Sequence, residues 1–210
     1  MSGNAPSGKP IGGPRVTVVK LGGSLEPYLT RLLPVLQSSP RPLLIVPGGG
    51  QFADAIRHSP AADDPDAAHW MAVAAMEQYG WLISSQGIPA TDHLISPART
   101  SVFLPYRAMR EYDPLPHSWD VTSDTIAAWV ARLVGGDLLV LKSIDGLTAG
   151  GKLIAHLHAP VETEIVDPWF LTYVFEHHIR TFILNGTLPG RVEKWLAGKQ
   201  VPGTGIGTTF

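Results

Sequence analysis

Apolar residues fall along this chain in two kinds of run. The short runs Val16-Thr17-Val18-Val19, Leu43-Leu44-Ile45-Val46, Asp137 to Leu141 and Thr181-Phe182-Ile183-Leu184 predict strands buried on both faces, as in a parallel sheet covered by helices. Between them the apolar positions recur at helical spacing. Leu25, Leu29, Leu32, Leu33 and Leu36 predict a helix over Leu25 to Leu36, with Pro34 placed to kink or end it. Gln51 to His58, Ala67 to Ser84, Ile126 to Val134, Asp167 to about His177 and Leu188 to Leu196 predict further helices. Ala67 to Ser84 is apolar nearly all round, which suits a central or subunit-contacting helix. His93-Leu94-Ile95 and Val102-Phe103-Leu104 predict brief strands, Arg107 to Arg110 a helical turn, Thr148 to Lys152 a hairpin turn, and Gly203 to Thr209 a final strand. Residues 38–42 and 59–66 read as loops. Alternating strands and helices favour an α/β fold: a three-layer α/β/α sandwich with a mainly parallel central sheet.

Two of the strands end in glycine. Lys20-Leu21-Gly22-Gly23-Ser24 closes the first and Pro47-Gly48-Gly49-Gly50 the second, and each runs into a predicted helix. Glycine lets the chain turn tightly and lets an anion approach the backbone. A helix N-terminus behind it adds free N–H groups and the positive end of a dipole. The first unit alone could be a strand, a turn and a surface lysine. Two such units at one edge of a parallel sheet, where open α/β folds bind ligands, point to a phosphate cradle. Further along, Thr122-Ser123-Asp124 opens a helix. Thr122 or Ser123 fits an N-cap and Asp124 the first turn, but one cap does not need three polar groups. Asp167-Pro168 predicts a helix start with the aspartate as its cap.

Composition narrows the possibilities. The 210 residues fit one domain, over 15–210, behind a Gly-, Pro- and Ser-rich tail over 1–14 that reads as disordered and carries no signal peptide. Charged residues make up 16% and the formal net charge is -2, so no basic face is implied and nucleic acid is not a natural partner. The absence of cysteine excludes disulfides, zinc–thiolate sites and thiol nucleophiles. No stretch is long enough to span a bilayer, so the cytoplasm is the default location. The phosphate-binding G-x-x-x-x-G-K-[ST], the dinucleotide G-x-G-x-x-G, the G-x-S-x-G elbow and His-Glu-x-x-His are all missing.

What remains is a set in a fixed order: Lys-x-Gly-Gly-Ser, Pro-Gly-Gly-Gly, Thr-Ser-Asp opening a helix, and a strand ending in Ile144-Asp145-Gly146. This set resembles the amino-acid kinase superfamily, from Val16 to Gly203-Thr204-Gly205-Ile206. Within that group the chain is most similar to the [5-(aminomethyl)furan-3-yl]methyl phosphate kinases of methanofuran biosynthesis. Val46 to Asp54, Ala68-His69-Trp70-Met71-Ala72 and His117 to Asp124 carry the finer match. The resemblance implies ATP, Mg2+ and transfer of a γ-phosphoryl group to a small phosphorylated acceptor; the alternatives are another acceptor, such as uridylate or an acidic amino acid, and a nucleotide-binding storage or regulatory subunit without turnover. The apolar helix Ala67 to Ser84 suggests a homo-oligomer, at least a dimer. Carried over by position, it implies that Lys20 holds the transferred group and that Gly22, Gly23 and Ser24 bind the ATP phosphates. Ser143, Asp145, Gly146 and Lys152 would lie along the nucleotide. Gly48, Gly49, Gly50, His69, Trp119, Thr122 and Ser123 would lie on the acceptor side, and Asp124 would orient the lysines. Asp54, Glu77 and Asp120 are candidates to receive an acceptor ammonium group. Arg57 is either a phosphate clamp or a solvated helix residue. Several members of the superfamily carry a second lysine after a late Gly-Gly-Met. Here that region reads Val166 to Phe170 without a lysine. Either Lys142 or Lys152 takes its role, or fewer charges serve. Lys142, at the end of a strand, is the choice.

Overall fold

The computed structural model describes residues 16–207, so the tail over 1–14 and the end of the last predicted strand lie outside the described residues. In chain order the elements are β1 (Thr17–Leu21), α1 (Leu29–Gln37), β2 (Leu43–Pro47), α2 (Gly50–Arg57), α3 (Pro65–Ser84), β3 (Ala90–Thr91), β4 (Ser101–Phe103), α4 (Tyr106–Tyr112) and α5 (Ser123–Val134). There follow β5 (Asp137–Lys142), the hairpin β6 (Thr148–Ala149) and β7 (Lys152–Leu153), β8 (His156–Leu157), α6 (Phe170–Glu176), β9 (Thr181–Asn185), α7 (Pro189–Leu196) and β10 (Thr204–Ile206).

One eight-stranded sheet runs in the order β3-β4-β2-β1-β5-β9-β10-β8. Its pairings are parallel except for β9 against β10. β1, β2 and β5 are buried on both faces, which is why they read as unbroken apolar runs. Side chains alternate across such a strand. Val18, Leu44, Val46, Leu138 and Val140 pack on one face with α4, α5 and α6. Val19, Leu21, Leu43, Ile45, Leu139 and Leu141 pack on the other with α1 and α7. α3 serves both, giving Val73 and Met76 to the first layer and Tyr79 and Ile83 to the second. The result is the three-layer α/β/α sandwich. No helix among the described residues is long and apolar enough to cross a membrane.

Several local expectations shift. The five leucines of Leu25 to Leu36 all point inward, but the first turn is a 3-10 turn over Gly23–Tyr28 and the α-helix begins at Leu29. Pro27 falls in that turn, and Pro34 is carried inside α1 without ending it. α3 starts at Pro65 because Asp64 caps it, accepting from the N–H groups of Asp66 and Ala67. The strand expected at His93–Ile95 is instead Ala90–Thr91, which pairs with β4 and leaves Ile95 exposed.

Candidate active site

Strand parity brings the charged centre together. Lys20 shares its face of β1 with Val18, and Lys142 shares its face of β5 with Val140. Both therefore project at the C-terminal sheet edge onto the layer that contains α5, whose first turn carries Asp124. Lys20 Nζ lies 2.7 Å from Asp124 Oδ1, and Lys142 Nζ lies 2.6 Å from Oδ2. The carboxylate is buried and so is Lys20. Burial alone would push the Asp124 carboxyl up, but the two ammonium groups outweigh it and hold it below the ordinary carboxylate range. Burial, reinforced by Lys20, lowers Lys142 against the pull of Asp124. One buried carboxylate thus lies between two lysine head groups, with the Asp167 carboxylate near enough to act on both Asp124 and Lys142.

α5 is not capped by its own Thr122 or Ser123. The Asp167 carboxylate does this work from 45 residues away, accepting from the Thr122 N–H at 3.0 Å, the Thr122 hydroxyl at 2.9 Å and the Thr125 N–H at 3.0 Å, as well as from the Thr125 hydroxyl. Asp167 is thus not the side-chain cap of α6, which begins at Phe170 with Trp169 before it. Burial, then the nearby Asp124 charge, raise Asp167 against these hydrogen bonds. By taking over the cap, Asp167 frees Asp124 to face the lysines and fixes the helix that carries it.

The two glycine loops touch. The Gly48 N–H donates to Leu21 O at 2.8 Å. A Cβ on Gly23 would stand 2.2 Å from Gly50 Cα, and one on Gly48 would stand 3.0 Å from Gly23 N. Gly50 has φ +53, a conformation that glycine adopts without strain. A Cβ on Gly22 would stand 3.2 Å from Lys20 Nζ, so the lysine head lies against the first loop.

Beside the loops opens a cleft of about 980 Å³. Its floor is Gly23, Ser24 and Gly48 to Gly50, one wall is α2 and α3, and the other is the segment His117 to Thr122 with Ser123. The cleft therefore gathers Asp54, Arg57, His69, Trp119, Thr122 and Ser123 with the glycines. Arg57 is engaged by Asp54 at 3.2 Å and lies 5.0 Å over the Trp119 ring, which bridges the two walls. Two expected acceptor residues stand elsewhere. Glu77 accepts from the Tyr106 N–H at 3.0 Å and so caps α4, and Asp120 is exposed outside the lining.

Among the lining residues given no site role from the sequence are Glu26, Met76 and His117, the last at the start of the segment that carries the finer match. His117 Nδ1 lies 2.6 Å from Asp66 and its Nε2 lies 2.9 Å from Asp113. The hydrogen bond to Asp66 chiefly, with help from Asp113, raises its pKa against partial burial. Its ring stacks on His69 at 4.1 Å. Burial, then the His117 charge, lower His69 to about 4, although Asp113 and Asp66 pull the other way.

On the far side of the lysines, strand order places the turn after β5 next to the loop after β1. Asp145 in that turn receives the Asn185 amide at 2.8 Å and Arg191 at 2.7 Å. These contacts, Asn185 first, hold its carboxyl low. Ser143 is exposed there, Gly146 packs against Thr204, and Lys152 stands exposed on the β6–β7 hairpin, outside the charged centre. Lys142, not Lys152, is the lysine that faces Asp124.

The histidine pair gives a signed pH dependence. A histidine held neutral by the fold contributes stability that is complete above its unfolded pKa of 6.5 and is lost as pH falls through about 4. His117, with its raised pKa, contributes in the opposite sense: its share is complete below 6.5 and is lost as pH rises through the raised value. Denaturation midpoints measured from pH 4 to 8 should therefore fall between 6.5 and 4, and His69→Gln should flatten that limb. A variant curve parallel to the parent's over this window would contradict the assignment.

A parallel sheet whose central strands end in touching glycine loops, with two lysines on one buried aspartate, is the amino-acid kinase fold. Sequence and structure together give the chain that fold, and the proteins it resembles are kinases. No family model matches the chain. It is 28% identical over 202 residues to the [5-(aminomethyl)furan-3-yl]methyl phosphate kinase of Methanocaldococcus jannaschii, a match covering 87% of this chain and 94% of that one. Among solved structures it resembles the uridylate kinase from Archaeoglobus fulgidus, with a TM-score of 0.69 and 19% identity over 92% of this chain and 100% of that one. It also resembles an isopentenyl phosphate kinase, with a TM-score of 0.62 and 17% identity over 91% of this chain and 100% of that one.

Proposed function

We propose that the protein transfers the γ-phosphoryl group of ATP to [5-(aminomethyl)furan-3-yl]methyl phosphate, forming the diphosphate and ADP. The observation that carries this reading is the placement of Lys20 and Lys142 on opposite oxygens of Asp124, beside the touching glycine loops. Phosphoryl transfer passes through a loose transition state, so fixed charge and dipoles supply most of the catalysis. A phosphate monoester has its second pKa near about 6 and is a dianion at neutral pH, so it needs no general base to attack. This suits Asp124, which is held ionised and cannot hold a proton at that pH. Its role is to aim the lysines. An acceptor phosphate oxygen bonds to the γ-phosphorus while the bridging bond to ADP breaks, and the two ammonium groups balance the equatorial charge.

The acceptor phosphate would rest on Gly48 to Gly50 and the start of α5, and the ATP phosphates on Gly22, Gly23 and Ser24. The nucleotide would extend past Ser143, Asp145 and Gly146. Among the described residues no cluster of three or more acidic or histidine side chains forms a metal cage. Mg2+ would therefore be held largely by ATP oxygens and water, as is usual for that ion. The same reading carries a cytoplasmic homo-oligomer, with Met71 and Trp81, exposed on the outer side of α3, as its contact.

The test is ADP release by the purified protein with ATP, Mg2+ and a panel of phosphorylated acceptors. Release with the aminomethylfuran phosphate is expected. Release with uridylate instead would sink the acceptor assignment, and tight ATP binding without turnover of any acceptor would sink the kinase assignment.

A further inference from the structure

The α3 wall of the cleft is a single stripe: Pro65, Ala68, His69, Ala72, Val73 and Met76, at helical spacing. His69 is its one polar side chain. The residue is 93% buried by its 7% exposure, and its Nε2 has no hydrogen-bond partner. A buried polar atom without a partner is uncommon and calls for a ligand or a water. His69 stands seven residues from Met76, about 10 Å along the helix at 1.5 Å per residue. That spacing suits an acceptor with an apolar middle and a hydrogen-bond donor at the end away from its phosphate.

Resting on the kinase reading above, we propose that His69 selects an acceptor bearing an ammonium group, whose N–H donates to the Nε2 lone pair while the phosphate lies at the glycine loops.

The surroundings favour a cation there. His117, stacked behind His69, is bracketed by Asp66 and Asp113, so the three together carry a net negative charge. Burial, then His117, disfavour a second proton on His69, which keeps the ring neutral; its Nδ1–H tautomer presents the lone pair at Nε2. Asp54, an earlier candidate for this role, is engaged by Arg57. Glu26, also on the lining, is engaged by Gln51 at 3.2 Å.

The experiment compares two acceptors, the aminomethylfuran phosphate and the same compound with a methyl in place of the aminomethyl group, in the parent, His69→Leu and His69→Gln. The readout is the ratio of the two kcat/KM values. The parent should favour the amine. His69→Leu should reduce the ratio roughly ten- to hundredfold, the scale of a lost hydrogen bond to a charged group, mainly through KM for the amine. His69→Gln, which returns a neutral acceptor atom, should recover much of it. A ratio unchanged in His69→Leu, or a Gln variant no better than Leu, overturns the proposal and leaves the kinase reading intact. A parent that binds ATP but phosphorylates neither compound overturns the kinase reading, and the proposal falls with it. Melting curves and ATP binding of each variant separate loss of selectivity from loss of fold. If His69→Leu does not fold, the Gln variant alone decides, by holding or losing the preference for the amine.

Discussion

Lys20→Ala is expected to lower kcat by about a hundred- to a thousandfold, the usual cost of removing one preorganised charge from a transition state. The lysine stands one residue before the end of a central strand, lies against Gly22, and is one of the two cations that share the Asp124 carboxylate. Its loss halves the positive charge available to the transferred group. The protein should still fold, because Asp124 keeps Lys142 and the β1 core residues Val18, Val19 and Leu21 are untouched. Lys20→Met, closer in volume, separates charge from packing. Single-turnover rates with saturating ATP are the measurement, and either variant turning over at the parent's rate would remove Lys20 from the mechanism. A drop in ATP affinity at unchanged kcat would place the lysine in ground-state binding only.

The layers of the fold were legible in the sequence because its buried strands are unbroken apolar runs and its helices are periodic. The glycine loops were legible for the same reason, since Gly-Gly and Gly-Gly-Gly fall where those runs stop. What local pattern could not give was pairing at long range. That Asp167 caps α5 rather than its own helix depends on α6 packing beside α5. A Thr-Ser-Asp run looks self-capping until a distant carboxylate replaces the hydroxyl. His117 carried no signal of its role either, because its partner Asp66 lies 51 residues earlier. The strand misplaced to His93–Ile95 shows the same limit. A two-residue edge strand is set by its neighbour β4, and Ala90-Thr91 has no periodicity to read. Lys142 was readable as a strand end, but the register that pairs Lys20 with Val140, and so sets both lysines on one face, is a property of the folded sheet. Only the approach of α5 made that a pair.

Gly23→Ala should be the most damaging single-methyl change at the site. The added carbon would meet Gly50 Cα at 2.2 Å and Gly50 N at 2.7 Å, both backbone atoms that cannot swing aside. Gly50 has φ +53, and a Cβ on it would stand 3.4 Å from the Tyr79 ring, so it has little room to move aside. The two loops must therefore part, and the N–H groups of each lose their setting toward the other. Overpacking of this kind costs about 1–3 kcal/mol of stability. The larger effect falls on turnover, since a displacement of about 1 Å between reacting groups is enough to cost about a hundredfold. Gly190→Ala supplies the comparison: its added carbon meets nothing within 4 Å, and it lies in α7, so stability should be equal or slightly higher. Urea denaturation and kcat of both variants are the measurements. If Gly23→Ala matched Gly190→Ala in both, the contact between the glycine loops would not be what aligns the two substrates.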